Sequence, residues 1–204
     1  MVRYQLQDRG VTDPKVLAAM GKVGRETFVP AVERDFAYSD GPLPIGHGQT
    51  ISQPFIVALM TEALQLTGGE RVLEIGTGSG YAAAVLAEIA ADVFTIERIA
   101  ELAESARLAL EEQGYANVHV KCDDGTLGWK EHAPYDAIVA TAAGPSVPDA
   151  LKDQLKVGGR LVMPVGSQFG GQQLMRVTRV SETEYEQEVL DWVRFVPLIG
   201  KQGW

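Results

Sequence analysis

From residue 67 to residue 165 the chain alternates short apolar runs with stretches of helical periodicity. The stretches at 71–75, 92–97, 118–121, 136–140 and 160–165 are short apolar runs, as expected of strands buried on both faces. The stretches at 81–90 and 100–113 are rich in Ala and Leu at helical spacing. Strands separated by helices predict a parallel sheet covered on both sides. The tail breaks this rhythm. Residues 173–180 and 186–196 are strand-like and only 181–185 separate them, which leaves room for a hairpin but not for a crossover helix.

Ahead of the alternating region, Thr12-Asp13-Pro14 opens a helical pattern through Val16, Leu17 and Met20, with a capping side chain and a proline in the first turn. Residues 38–52 are rich in turn formers, with little periodicity, and predict a long irregular connection of the kind that either lines a site or is mobile. A helical pattern resumes over 54–66. The whole predicts one α/β domain over 1–204: a helical and loop segment over 1–66, then a core over 67–204 built on a mostly parallel, doubly wound sheet with a C-terminal antiparallel hairpin.

Composition narrows the partners. Of the 204 residues, 46% are hydrophobic and 22% charged, an ordinary globular balance. The formal net charge of −9 repels phosphate backbones and disfavours a nucleic-acid partner. Cys122 is the single cysteine, so neither an intrachain disulfide nor a cysteine zinc cluster is expected. The first ten residues lack the apolar core of a signal peptide. Residues 41–61 carry no charge, but Pro42, Pro44, Pro54 and Gly46 interrupt any spanning helix there. These features predict a cytoplasmic protein without a membrane partner, and a monomer by default.

The candidate chemistry gathers at predicted strand ends. Glu74-Ile75-Gly76-Thr77-Gly78-Ser79-Gly80 stands where the first strand meets its helix, and its glycines let backbone amides approach a ligand. A tight bend without ligand would use glycines too. The dinucleotide fingerprint needs glycine where Tyr81 stands. Glu97 ends the second strand 21 residues beyond Gly76, where an acidic side chain takes ribose hydroxyls. Asp124 and Gly125 end the third. A surface carboxylate is the bland reading for any one of these, but ligands of open parallel sheets bind beyond the carboxyl ends of strands, where all three converge. His119 and His132 lie near no Cys pair, so no metal site is expected. Cys122 reads as a small buried residue, and His47, between two glycines, as a backbone anchor or solvated group rather than a base. Trp129, Trp192 and Trp204 suit either a peptide surface or a core.

With Glu74-x-Gly76-x-Gly78-x-Gly80, Glu97 and Asp124-Gly125, the sequence resembles the class I S-adenosylmethionine-dependent methyltransferases. The segments IGHGQTISQP (45–54), VLEIGTGSGYAAAVLA, PYDAIVATAA, GGRLVMPVG and FVPL (195–198) resemble, more narrowly, the protein-L-isoaspartate O-methyltransferase family. The first of these segments is the specific one, since the glycine motif is widely shared. The resemblance implies a Rossmann-like methyltransferase fold. It also implies methyl transfer from S-adenosylmethionine to the α-carboxylate of L-isoaspartyl residues in damaged peptides and proteins, leaving S-adenosylhomocysteine. The resulting ester collapses to a succinimide that hydrolyses partly to aspartate. By motif position, Ser52 is the active-site hydroxyl, and Thr50 and Ile51 flank the cofactor. Glu74 and the turn Gly76, Thr77, Gly78, Ser79 and Gly80 hold its methionine part, Glu97 its ribose, Asp124 and Gly125 its adenine, and Gln173 a further contact. The competing readings are a class I methyltransferase acting on a small molecule and a non-catalytic adenosyl-ligand module. For Ser52, the competing role is a helix cap.

Overall fold

The computed structural model describes all 204 residues. Val2–Leu6 and Gln7–Arg9 form short helical turns that lead to α1 (Pro14–Lys22). Asp13 caps α1 as its sequence suggests, accepting from the amides of Lys15 at 2.8 Å and Val16 at 3.3 Å. Glu62, on α2 (Pro54–Ala63), accepts from the amides of Thr12 and Asp13, which pins the start of α1 to α2.

Between these helices, the stretch expected to be irregular contains a small antiparallel pair, β1 (Leu43–Gly46) and β2 (Gln49–Ile51). The reversal is made by Gly46, His47 and Gly48, all at positive φ. Such a reversal tolerates glycine freely and other residues rarely. Three- and four-residue strands are too short to show an alternating pattern, which hid the pair from sequence reading.

The core is a seven-stranded sheet of β3 (Arg71–Ile75), β4 (Asp92–Glu97), β5 (Val118–Cys122), β6 (Tyr135–Ala140), β7 (Leu155–Gly166), β8 (Gln172–Arg179) and β9 (Tyr185–Val193). Their order is β5-β4-β3-β6-β7-β8-β9. The pairs among β3 to β7 are parallel, and β8 and β9 close the sheet antiparallel. α3 (Tyr81–Ala87) and α4 (Ala100–Glu112) are the crossovers on one side, and α5 (Asp149–Asp153) precedes β7. With only five residues, α5 has no periodicity to read. β7 begins earlier than its apolar run because Leu155 pairs with Tyr135 ahead of a bulge.

The period-2 alternation of strands sorts the core into two layers. Val72, Val93 and Ala137 share a register row and join the larger cluster under α1 to α4. Leu73, Phe94 and Ile138 form the next row and face the other side, with Leu161, Met163 and Tyr135. Cys122, expected to be buried, is exposed. It sits at the end of β5, an edge strand with one neighbour, so the apolar-run argument fails there. No helix is long and apolar enough to cross a membrane.

Candidate active site

The chain reverses its winding at β3: β4 and β5 lie to one side of it and β6 to the other. The carboxyl ends of β3 and β6 therefore flank a crevice, the usual ligand position in such sheets. Gly76 begins the turn after β3 at φ 96°, and its amide donates to Ile96 O at 2.8 Å. A Cβ on Gly76 would lie 2.5 Å from Thr141 Oγ1, while Thr141 Oγ1 donates to Gly76 O at 2.8 Å. Only glycine fits this turn against β6.

Glu97, at the end of β4, is almost fully buried. Its Oε2 accepts from the Gly78 amide and its Oε1 from the Ile99 amide, both at 3.0 Å. One carboxylate thus ties the glycine turn to the start of α4 and keeps one lone pair on each oxygen for a pair of hydroxyl donors. The crevice is narrow, about 60 Å³, and its walls include Thr50, Gly76, Gly78, Glu97, Gly125 and Thr141. Its outer wall is the segment Val196, Pro197, Leu198 and Ile199.

That outer wall is sewn in place by backbone hydrogen bonds. Ala143 N donates to Val196 O at 2.8 Å, and Leu198 N to Ala143 O at 2.7 Å. Beyond it, Lys201 N donates to Asp124 Oδ2 at 2.8 Å. The other oxygen, Asp124 Oδ1, accepts from the Thr126 amide and hydroxyl at 2.9 and 2.7 Å. Upstream, Gln172 is 2% exposed. It clamps Phe195 by accepting from its amide at 2.6 Å and donating to its carbonyl at 3.2 Å.

Two further cavities adjoin the crevice. A pocket of about 30 Å³ behind the glycine turn is walled by Thr50, Ile51, Ser52, Thr77, Ser79 and Tyr81, among others. An open cleft of about 580 Å³ is lined by Ser52, Gln53, Ile56, Trp192, Arg194 and Phe195, among others. Thr50 and Thr141 line all three spaces, so crevice, pocket and cleft meet at these two threonines. Ser52 stands on the wall shared by pocket and cleft. It is not a helix cap: the residue before α2 is Gln53, and no side chain bonds the first turn.

Of the residues singled out in the sequence, Thr50, Ile51, Ser52, Gly76, Thr77, Gly78, Ser79, Glu97 and Gly125 line these spaces. Four do not. Glu74 is fully buried beneath the turn. Burial raises its carboxyl to about 8, against the pull of the Thr95 hydroxyl and with help from the Glu97 charge. Gly80 faces α4, where a Cβ would meet Leu110 at 3.2 Å; its glycine serves helix packing. Asp124 lines none of the three spaces: its Oδ1 accepts from Thr126 and its Oδ2 from Lys201. Gln173 lines none of the three spaces, and its neighbour Gln172 holds the cleft wall instead, because adjacent strand residues point to opposite faces. Missed were Thr141, Arg194 and a role for 196–199. Thr141 directly follows β6, and the strand-end rule that found Glu97 would have found it. Trp192 is 67% exposed and forms cleft wall, whereas Trp129 packs edge-on against Phe94.

The chain matches known proteins along its whole length. A family model described as protein-L-isoaspartate(D-aspartate) O-methyltransferase matches residues 1–203. A protein-L-isoaspartate O-methyltransferase 2 of Marinobacter nauticus is 63% identical over 204 residues, covering 100% of this chain and 93% of the relative. A protein-L-isoaspartate O-methyltransferase of Rhodopseudomonas palustris is 60% identical, covering 100% and 94%. A solved protein-L-isoaspartate O-methyltransferase superimposes with a TM-score of 0.90 at 30% identity, over 100% of this chain and 67% of the other. A Plasmodium falciparum structure titled as a putative member, in complex with S-adenosyl-L-homocysteine, gives a TM-score of 0.84 at 24% identity, over 97% and 96%. By sequence over its full length and by fold, this chain belongs to the protein-L-isoaspartate(D-aspartate) O-methyltransferase family.

Proposed function

We propose that the protein repairs damaged proteins by methylating the α-carboxylate of L-isoaspartyl residues with S-adenosylmethionine. The observation that carries this reading is the meeting of crevice, pocket and cleft at Thr50 and Thr141, with Ser52 on the shared wall. A narrow cofactor site and a wider peptide site then share one point at which a methyl group passes.

The residues of the crevice fit an adenosyl cofactor. Glu97 has acceptor capacity for two ribose hydroxyls, Gly125, packed closely on Ile75, forms with it a flat stretch of crevice wall for the base, and the hydroxyl-lined pocket takes the amino-acid end. Asp124 acts one step away, by holding the C-terminal segment over the crevice. The cofactor supplies a methyl group on a positively charged sulfur.

No general base is required of the chain. A peptide α-carboxylate has an ordinary pKa of roughly 3.3–3.7, so it is already an anion at neutral pH. Its oxygen forms the new bond to the methyl carbon while the carbon–sulfur bond breaks and its electron pair stays on sulfur. Ser52 donates a hydrogen bond that holds the carboxylate in line, and the enclosing segment 196–199 keeps water away. Placement of this kind is a main source of rate in such displacements. The ester formed is then attacked by the neighbouring peptide nitrogen, releasing methanol and leaving a succinimide that water opens.

Trp192 and Arg194 receive the residues flanking the isoaspartyl group in the open cleft, whose breadth suits many sequences. The net charge of −9 sets the protein against nucleic acid, and it acts as a monomer in the cytoplasm. Mass spectrometry of an isoaspartyl peptide incubated with the protein and S-adenosylmethionine tests the reading. A methyl ester that decays to the succinimide is expected; an unmodified peptide would contradict it.

A further inference from the structure

Beneath the glycine turn, a buried carboxyl is connected to the hydroxyl pocket without touching it. Glu74 and Thr95 have no solvent exposure, and Thr77 only 3%. Glu74 Oε2 and Thr95 Oγ1 are 2.6 Å apart, and Thr95 Oγ1 and Thr77 Oγ1 are also 2.6 Å apart. Glu74 Oε1 has no hydrogen-bond partner. Thr77 lines the pocket beside Thr50, Ser52 and Ser79. The three side chains form a single file from β3 through β4 to the pocket.

Each threonine hydroxyl has one proton to give, so the file runs in one of two directions. With Glu74 ionised, Thr95 donates to Glu74 and Thr77 donates to Thr95, and Thr77 turns lone pairs toward the pocket. With a proton on Glu74 Oε2, the acid donates to Thr95 and Thr95 to Thr77, which frees the Thr77 proton for the pocket. An ionised Glu74 would leave Oε1 unpartnered in a dry interior beside the Glu97 charge, a costly arrangement.

The surroundings offer no cation to offset it. β6 presents Val139 opposite Glu74. The buried face of α4 presents Leu102, Ala103, Ala106 and Leu110. α3 brings Tyr81, which burial pushes to about 12 and so keeps neutral. From the N-terminal segment, the Arg25 guanidinium is engaged with the Tyr81 ring, 4.9 Å from its centroid. Burial first, against the pull of the Thr95 hydroxyl and with Glu97 in addition, raises the Glu74 carboxyl to about 8, which favours the neutral acid at pH 7.

We infer that Glu74 is a positioning residue: through Thr95 it turns the Thr77 hydroxyl proton into the pocket as a donor for the carboxylate of the cofactor's amino-acid end. The inference rests on the cofactor reading above. The polar side chains of the pocket are hydroxyls, with no carboxylate among them, a set suited to an anionic group.

Calorimetric titration of S-adenosylhomocysteine into wild type, Glu74→Gln and Thr95→Val from about pH 6.5 to about pH 9 tests it by linkage. The amino group of the ligand titrates alike in all three proteins, so the ratio of affinities is the readout. Gln donates to Thr95 at every pH. Wild type and Glu74→Gln are expected to match at the acid end and wild type to fall roughly 3- to 10-fold behind at the alkaline end, the worth of one hydrogen bond. Thr95→Val breaks the file and leaves the Thr77 proton free of it at every pH, so the ratio of wild-type affinity to that of Thr95→Val should fall as pH rises. Ratios that stay constant with pH overturn the inference while leaving the cofactor reading intact. If Glu74→Gln does not fold, the wild type to Thr95→Val ratio decides alone. Absence of binding to wild type overturns the cofactor reading and this inference together.

Discussion

The crevice and the cleft are neighbours built on opposite terms. The crevice is about 60 Å³, and its inner wall comes from consecutive residues at the ends of parallel strands, fixed by backbone bonds to Glu97, Ile96 and Thr141. The cleft is about 580 Å³, and its walls come from residues 42–56, Thr141 and residues 192–196, brought together only by the fold. A constant ligand permits a tight, preorganised site, whereas variable peptide sequences require an open one. Thr50 and Thr141 belong to both, so each region can be damaged separately and read in a separate constant.

Ser52→Ala carries the largest expected effect, because Ser52 lines both the cleft and the pocket behind the glycine turn. Loss of carboxylate orientation should lower kcat by roughly 10²-fold, while thermal unfolding shifts by no more than about 0.5 kcal/mol of stability, since Ser52 caps no helix. Normal turnover with a lowered melting temperature would remove Ser52 from the reaction. Glu97→Ala strikes the crevice alone. Calorimetry should show S-adenosylhomocysteine binding weakened by roughly 1.5–3 kcal/mol, with peptide KM little changed at saturating cofactor.

Gln172→Ala strikes the cleft through its support. It leaves the amide and carbonyl of Phe195 unpartnered, at about 1–3 kcal/mol of stability, and should raise peptide KM several-fold more than it raises cofactor Kd. Trp192→Ala should do less: a few-fold rise in peptide KM with unchanged unfolding, because the ring is largely exposed. Equal effects of Gln172→Ala on both ligands would show that crevice and cleft are mechanically one site.

The same contrast governs what could be read from sequence. The parallel strands, their helices, the glycine turn and Glu97 were legible because each depends on a local rule: an apolar run, a helical period, a carboxylate at a strand end. Gln172 and Gln173 show where such reading stops, since choosing between neighbours requires knowing which face of β8 meets Phe195. Asp124 occupies the expected strand end, yet while Oδ1 accepts locally from Thr126, Oδ2 accepts from a chain segment 77 residues away, a long-range fact no spacing contains. The hairpin of β1 and β2 escaped because its strands are shorter than any pattern, although Gly46 and Gly48 marked its turn. Trp192 stood among the candidate aromatic residues, and only the fold distinguished it from Trp129.

The central claim is that one carboxylate, displaced into the peptide backbone's side position, is what the cleft presents to the cofactor. It is tested most directly by incubating the protein with methyl-labelled S-adenosylmethionine and two peptides of one sequence, differing only in an isoaspartyl or an ordinary aspartyl linkage. Base-labile label in the isoaspartyl peptide and none in its aspartyl twin is the predicted result. Label in neither, or equal label in both, would contradict the account.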